Sequence, residues 1–132
     1  MGKLNPRILI ADPDQDIRRS LEIYFKANGY EVQAVDAGSH IVKAARPWQP
    51  NVILISDGFT DTSPYQVCQE LMEDTLTGHI PLVMLLHKND RRSRLEALET
   101  GVSDIVTRPF DIEELRLRIE AAFRLATMRV AA

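Results

Sequence analysis

The feature that most constrains the fold is a series of short apolar runs, each of strand length, separated by longer stretches with helical spacing. This alternation predicts βα units whose strands form a parallel sheet. Two runs, VILI and LVMLL, lack polar alternation, as expected for central strands that helices cover on both faces. The predicted strands are Arg7–Ala11, Glu31–Val35, Val52–Ile55, Leu82–Leu86 and Asp104–Thr107.

Apolar spacing, caps and stop residues predict a helix after each strand. The first helix carries apolar residues at i, i+4, i+7 and i+8 from Ile17, with Asp14 as its N-cap and Gly29 as its stop. The fourth, about Arg91–Thr100, is predicted to turn Leu95 and Leu98 inward and to end at Gly101. The other helices are predicted near Ser39–Arg46, closing before Pro47, at about Tyr65–Asp74, and from the cap Asp111 to about Met128.

Length and charge limit the domain organisation and the partners. A chain of 132 residues with 45% hydrophobic content is long enough for one core and too short for two ordinary domains. We therefore expect a single domain over residues 1–128 and a C-terminal tail over 129–132, which in one interpretation leads to an output domain. A net charge of −3 gives no overall attraction to nucleic acid or to an anionic membrane. The single Cys68 and the lack of a long apolar segment favour a cytoplasmic protein.

The third predicted strand leads into Ser56 and Asp57, at the edge where α/β folds often keep a reactive group. Neighbouring side chains of a strand face opposite ways, so Asp57 could replace Ser56 only through a slip that would turn VILI inside out. Ser56 is thus the residue predicted to face the edge of the sheet.

Several stretches in register resemble the receiver domain of bacterial two-component response regulators. They are RILIADPDQDIRRSLEIYF, QPNVILISDGF and IPLVMLLHKNDRRSRLEALETGVSDIVTRPFDIEEL, and the resemblance covers nearly the whole chain. It implies an α/β fold of the flavodoxin-like (βα)5 type, with a doubly wound five-stranded parallel sheet in the order 2-1-3-4-5.

The resemblance also implies a chemistry, in which a phosphoryl group is transferred to an aspartate that ends the third strand while an acidic pair binds Mg²⁺. A hydroxyl residue normally ends the fourth strand, and a lysine precedes the proline after the fifth. Here the corresponding positions, which we expect to form a vestigial phosphorylation site, are Asp12, Pro13, Ser56, Leu86 and Arg108, and the usual aromatic residue of the fifth strand is Ile105.

Four of these five positions depart from the pattern, which predicts a degenerate pseudo-receiver that is not an enzyme and has no catalytic residue. We expect neither a cofactor nor a functional Mg²⁺ site, with Asp12 and Asp14 as the candidates for a weak one. Without a phosphoryl group to meet, Arg108 is predicted to pair with Asp12. The predicted function is a phosphorylation-independent signalling or protein-interaction module within a phosphorelay or related pathway.

Other interpretations stay open at this point. The DxD of Asp12 and Asp14 also occurs in small Mg²⁺-dependent phosphatases, an atypical receiver can still accept phosphate, and the vacated pocket can serve as a small-anion sensor. The cations from Lys88 to Arg94 and all three histidines are predicted to be solvated.

The last predicted helix carries a second apolar stripe, outside its core face, which is predicted to contact a partner, an output domain or a second copy of the chain. The resemblance favours the face formed by the fourth helix, fifth strand and fifth helix, and neither nucleic acid nor a membrane is expected as a partner. The predicted interface residues are Leu117, Ala121, Leu125 and Met128.

Overall fold

The structure, a computed structural model, describes residues 5–131, with side chains described up to residue 127. Five strands alternate with five helices, and a 3-10 turn at Gly38–His40 precedes the second helix. In chain order the elements are β1 (Arg7–Ala11), α1 (Gln15–Ala27), β2 (Glu31–Val35), α2 (Ile41–Trp48), β3 (Val52–Ser56), α3 (Pro64–Glu73), β4 (Leu82–Leu86), α4 (Arg91–Thr100), β5 (Asp104–Thr107) and α5 (Ile112–Ala131).

All strand pairs of the sheet are parallel, and the strand order is β2-β1-β3-β4-β5. This confirms the predicted flavodoxin-like order. No helix of residues 5–131 is long and apolar enough to cross a membrane.

Strand alternation divides the apolar residues between the two faces of the sheet. Ile8, Ile10 and Leu54 pack with residues of α1 and α5 on one face. Leu9, Ile53 and Ile55 pack with residues of α2, α3 and α4 on the other. Every residue of β3 and β4 is buried, as predicted for central strands. Cys68 lies in the second of these cores, where burial raises the pKa of its thiol to about 12.

The predicted helix signals hold for α1, α4 and α5. The carboxylate of Asp14 accepts from the amides of Asp16 and Ile17 at the start of α1. Asp111 caps α5 in the same way, and Gly101 ends α4 with a left-handed φ of 90°. The last helix continues beyond the predicted end at Met128, to Ala131.

Two helix predictions are wrong. The second helix includes Pro47 and ends at Trp48, because Gln49 takes a left-handed conformation and its amide still donates to Ala45 O. In α4, Leu95 and Leu98 do not face inward, since 42% and 61% of their surfaces are exposed. The inward face consists of smaller residues at i, i+4 and i+7, namely Ser93, Ala97 and Thr100.

Candidate functional site at the carboxyl edge of the sheet

Asp12 and Ser56 lie side by side because β1 and β3 are neighbouring parallel strands. Ala11 is in register with Ile55, so the next residue of each chain segment reaches the carboxyl edge together. Both side chains are fully buried, and the Ser56 hydroxyl donates to Asp12 Oδ2 at 2.5 Å. The Asp14 amide donates to Asp12 Oδ1 at 2.8 Å. Each oxygen of the buried Asp12 carboxylate therefore has an internal donor, as a buried charge requires.

Asp57 reaches the same edge although it follows Ser56 directly. The strand register is intact up to Ser56, which pairs with Leu85, so VILI stays buried as predicted. Beyond the strand end the chain turns, and the Asp57 carboxylate accepts from the amides of His87 and Lys88 at 2.9 and 3.4 Å. These two bonds join the loop after β3 to the loop after β4.

His87 is not a solvated surface residue, so this part of the histidine prediction is wrong. Its Nε2 lies 3.8 Å from Asp12 Oδ2 and 3.8 Å from Asp57 Oδ1, and 26% of the side chain is exposed. Nδ1 is buried and has no hydrogen-bond partner among the described residues. A protonated imidazole at this position is attracted to both carboxylates. The sequence signal was present, because His87 directly follows β4 and the carboxyl ends of parallel strands share one edge.

The other two histidines lie on the surface, as predicted, because His40 and His79 are exposed. The predicted pairing of Arg108 with Asp12 is wrong. No carboxylate of the described residues lies within 4.0 Å of the Arg108 guanidinium, whose central carbon is instead 6.0 Å from the centre of the Phe110 ring. Its Nε is buried without a partner. The reason is that Asp12 already has donors from Ser56 and Asp14 and faces His87.

The remaining positions of the predicted vestigial site supply neither a phosphoryl acceptor nor a metal ligand. Leu86 is buried at the end of β4, and Pro13 is exposed and carries no carboxylate beside Asp12. Asp14 is occupied as the N-cap of α1. The structure thus brings together Asp12, Ser56, Asp57 and His87, of which the sequence predicted the first two.

Mg²⁺, which the resemblance implies, does not fit the donor set of this edge. Asp12 is fully buried, Pro13 and Ser56 place no second carboxylate beside it, and Asp14 is engaged as the N-cap of α1. A hard divalent cation needs several free oxygen ligands in an octahedral arrangement. Within residues 5–131 no group of three or more histidine, cysteine, aspartate or glutamate side chains is placed to hold a metal ion.

The predicted interface stripe lies on α5, away from this edge. Leu117 and Leu125 are 53% and 55% exposed, and Ala121 is half-buried. Ala121 and Leu125 line a groove of about 590 Å³ beside the amino ends of β4 and β5. The side chain of Met128 lies outside the described part of the structure.

Relatives of this chain are regulatory proteins. The chain is 34% identical over 119 residues to the phosphate regulon transcriptional regulatory protein PhoB of Escherichia coli, covering 89% of this chain and 52% of that protein. It is 33% identical over 119 residues to the DNA-binding dual master transcriptional regulator RpaA of a Synechocystis species, covering 90% of this chain and 49% of that protein. The chain thus spans about half the length of these curated relatives.

Solved structures share the fold. A putative response regulator from Chloroflexus aurantiacus superposes with a TM-score of 0.86 at 23% identity, covering 92% of this chain and 99% of that one. A CheY-like receiver domain protein from Methanospirillum hungatei gives a TM-score of 0.88 at 17% identity, covering 96% of this chain and 99% of that one. The family model of the response regulator receiver domain matches residues 8–120, and the chain therefore belongs to the receiver domains of response regulators.

Proposed function

We propose that this receiver domain signals through protein contacts without accepting a phosphoryl group at the end of β3. The observation that carries the proposal is Ser56, the last residue of that strand, which is fully buried with its hydroxyl bonded to Asp12. A serine hydroxyl is a weak nucleophile unless a base activates it. Here the Asp12 carboxylate accepts from the Ser56 hydroxyl, but Ser56 is itself fully buried, so a phosphoryl donor has no direct approach to the hydroxyl oxygen.

Asp57 supports a second candidate, an atypical receiver that accepts phosphate on this neighbouring carboxylate. Its side chain is 14% exposed at the same edge, and His87 lies between it and Asp12. Against this candidate, both Asp57 oxygens accept from backbone amides, and Pro13 and Leu86 offer neither a metal ligand nor a hydroxyl. The first candidate is therefore favoured.

Neither of the other interpretations gains support from the geometry. An anion sensor would have to overcome repulsion from the carboxylates of Asp12 and Asp57. A phosphatase of the DxD type needs both aspartates free for metal and substrate, but Asp14 caps α1 and Asp12 is enclosed. We therefore propose a non-enzymatic module.

The proposal is tested by incubating the protein with acetyl phosphate and Mg²⁺ and measuring its intact mass. We expect no gain in mass, while a receiver domain that is known to accept phosphate gains one phosphoryl group from the same donor. A gain that disappears in Asp57→Asn but not in Ser56→Ala establishes the second candidate. A gain that disappears only in Ser56→Ala places the phosphoryl group on the serine, and either gain refutes the proposal.

For the partner, we propose an output domain or a second copy of the chain that contacts α5. The support is the exposure of Leu117 and Leu125 on one helix and the regulatory names of relatives that are about twice as long. In sedimentation experiments over a range of concentrations, we expect self-association that Leu117→Glu abolishes. Ile23→Glu, a change at an exposed residue of α1, is the matched control. A monomer at every concentration, unchanged by Leu117→Glu, contradicts the dimer.

A further inference from the structure

The imidazole of His87 lies between two carboxylates at the carboxyl edge of the sheet, although the proposed function gives it no part. Its Nε2 is 3.8 Å from Asp12 Oδ2 and 3.8 Å from Asp57 Oδ1. Both distances are too long for a hydrogen bond, so a neutral ring holds neither carboxylate. A charged ring attracts both, because the attraction between opposite charges still acts over this distance. The contact therefore depends on whether the ring carries an extra proton.

The two carboxylates have no other cation beside them in the part of the chain whose side chains are described. No lysine or arginine side-chain nitrogen there lies within 4.0 Å of either carboxylate. Arg18 reaches only the backbone carbonyl oxygen of Asp12, at 2.9 Å. The groups that donate to the carboxylates, the Ser56 hydroxyl and three backbone amides, are uncharged. His87 is therefore the candidate counter-ion for Asp12 and Asp57 together.

The ring of His87 joins three segments that are distant in the sequence. His87 directly follows β4, whereas Asp12 follows β1 and Asp57 follows β3. Residues 87–90, here named the β4–α4 loop, connect β4 to the helix α4. The Asp57 carboxylate already contacts this loop, because it accepts from the amides of His87 and Lys88 at 2.9 and 3.4 Å. A charged ring adds a link from the same loop to Asp12 and a further link to Asp57.

We propose that protonation of His87 fixes the β4–α4 loop against the edge of the sheet. The imidazolium binds the carboxylates of Asp12 and Asp57 together. When the proton leaves, both carboxylates lose their counter-ion, and the loop stays tied to Asp57 by the two amide bonds. An unperturbed imidazole changes its charge between about pH 5 and 8, so the loop responds to pH around neutrality. This goes beyond the proposed function, because the ligand is a proton instead of a partner protein.

The other ionisable groups of the adjoining segments act on the ring from farther away. Lys88 and Arg108, which follows the neighbouring strand β5, are cations and disfavour a second positive charge, but Lys88 is exposed and is screened by salt. Asp14 and Asp90 are anions that favour the charged ring, although both lie more than 4.0 Å from its nitrogens. Tyr65 of α3 stays neutral, because burial above all raises the pKa of its hydroxyl. The two nearest charges are thus both negative.

The partial burial of His87 opposes its charge only in part. Because 26% of the side chain is exposed, a protonated ring keeps some of its hydration. Asp12 is fully buried, and a buried carboxylate gains most from a cation beside it, since little water screens the pair. Nδ1 has no partner among the described residues, but it lacks one whether it carries a proton or a lone pair. The unpartnered nitrogen therefore does not decide between the two forms.

The test is amide hydrogen exchange by NMR on the full chain at about pH 6 and about pH 8, in EDTA and without a phosphoryl donor. The measured quantity is the protection factor, which compares each amide with an unstructured peptide at the same pH. For the amides of His87 and Lys88 we expect protection at least ~5-fold higher at the lower pH. In His87→Gln the protection should not change with pH. His79→Gln, at an exposed histidine that precedes β4, should behave as the wild type does.

Two outcomes in the wild type alone overturn the proposal. In the first, the ring nitrogen shifts of His87 show that the ring gains no proton between the two pH values. In the second, the ring gains its proton and the protection of the two amides does not rise. A rise of the same size in His87→Gln also overturns it, provided that the amide spectrum of this variant is native.

Urea unfolding decides if these amides exchange too fast to follow. The attraction exists only while the ring is charged, so the stabilisation is present at the lower pH and lost as the pH rises. The unfolding midpoint of the wild type should therefore exceed that of His87→Gln by more at about pH 6 than at about pH 8. Equal differences at the two pH values overturn the proposal.

Discussion

Replacing Ser56 by alanine should destabilise the protein more than an ordinary buried hydroxyl deletion does. The change removes the donor to Asp12 Oδ2, and both groups are fully buried. After the substitution that oxygen keeps no hydrogen-bond donor among residues 5–131, while Oδ1 still accepts from the Asp14 amide. A buried carboxylate with a missing donor bears a desolvation cost that water cannot relieve.

The expected size follows from the charge on the acceptor. A hydrogen bond to a charged group contributes about 1.5–3 kcal/mol, against roughly 0.5–1.5 kcal/mol for a neutral one. The neutral comparison is Thr77, which is also buried and whose hydroxyl donates to the carbonyl oxygen of Leu71. We therefore expect Ser56→Ala to lower the unfolding free energy by about 2 kcal/mol, a large share of the roughly 5–15 kcal/mol of a typical domain.

The assay is urea unfolding of Ser56→Ala, Asp12→Ala and the double variant, with Thr77→Val as the reference. The cycle should give a coupling energy of about 1.5–3 kcal/mol between residues 12 and 56, since both single changes break the same bond. A coupling below about 0.5 kcal/mol, together with a Ser56→Ala cost no larger than that of Thr77→Val, would refute the reasoning. The Ser56 hydroxyl would then contribute no more to stability than a neutral buried hydroxyl does.

Three further predictions concern the same edge and the loops around it. Ser56→Asp should lower the melting temperature in EDTA, because it buries a second carboxylate beside the first, and Mg²⁺ should raise it in the variant more than in the wild type. Gly38→Ala should destabilise the protein in urea unfolding, since the added Cβ would lie 2.2 Å from Thr62 Cγ2; an unfolding free energy equal to that of the wild type contradicts this. The pKa of Asp61 is lowered from 3.8, mainly because its carboxylate accepts from the Ser39 amide. The ionised carboxylate therefore stabilises the fold fully above pH 3.8, and this contribution is lost as the pH falls through the lowered pKa. Asp61→Asn should accordingly have a lower free energy of unfolding than the wild type at pH 6. The difference, measured by urea unfolding at a series of pH values, should shrink as the pH falls.

The strands and the caps could be predicted because they depend on local sequence. Buried strands of a parallel sheet need continuous apolar runs, and all five predicted runs became strands, the third extended by Ser56. A cap needs only a short polar side chain at the right offset, which Asp14 and Asp111 provide. Glycine at the end of α4 was predictable because left-handed backbone disfavours other residues.

What could not be predicted depends on which groups meet in space. Leu95 and Leu98 have core spacing, yet the small residues of α4 give an alternative face, and sequence alone does not decide which face the sheet takes. The position of His87 directly after β4 indicated the carboxyl edge of the sheet, but only the structure shows that its ring lies near the carboxylates of both Asp12 and Asp57. Arg108 does not pair with Asp12, because the Asp12 carboxylate already accepts hydrogen bonds from the Asp14 amide and the Ser56 hydroxyl.

The internal bonds of the edge bear on how such a module is regulated. A switch needs a ligand whose free energy of interaction differs between two states, and under the proposed function no phosphoryl group supplies that difference. The carboxylates of Asp12 and Asp57 are instead satisfied by groups of the chain itself, which favours one arrangement of the loops after β3 and β4. Binding of a protein partner is then governed by mass action, so that the response follows the concentration of the partner relative to its dissociation constant.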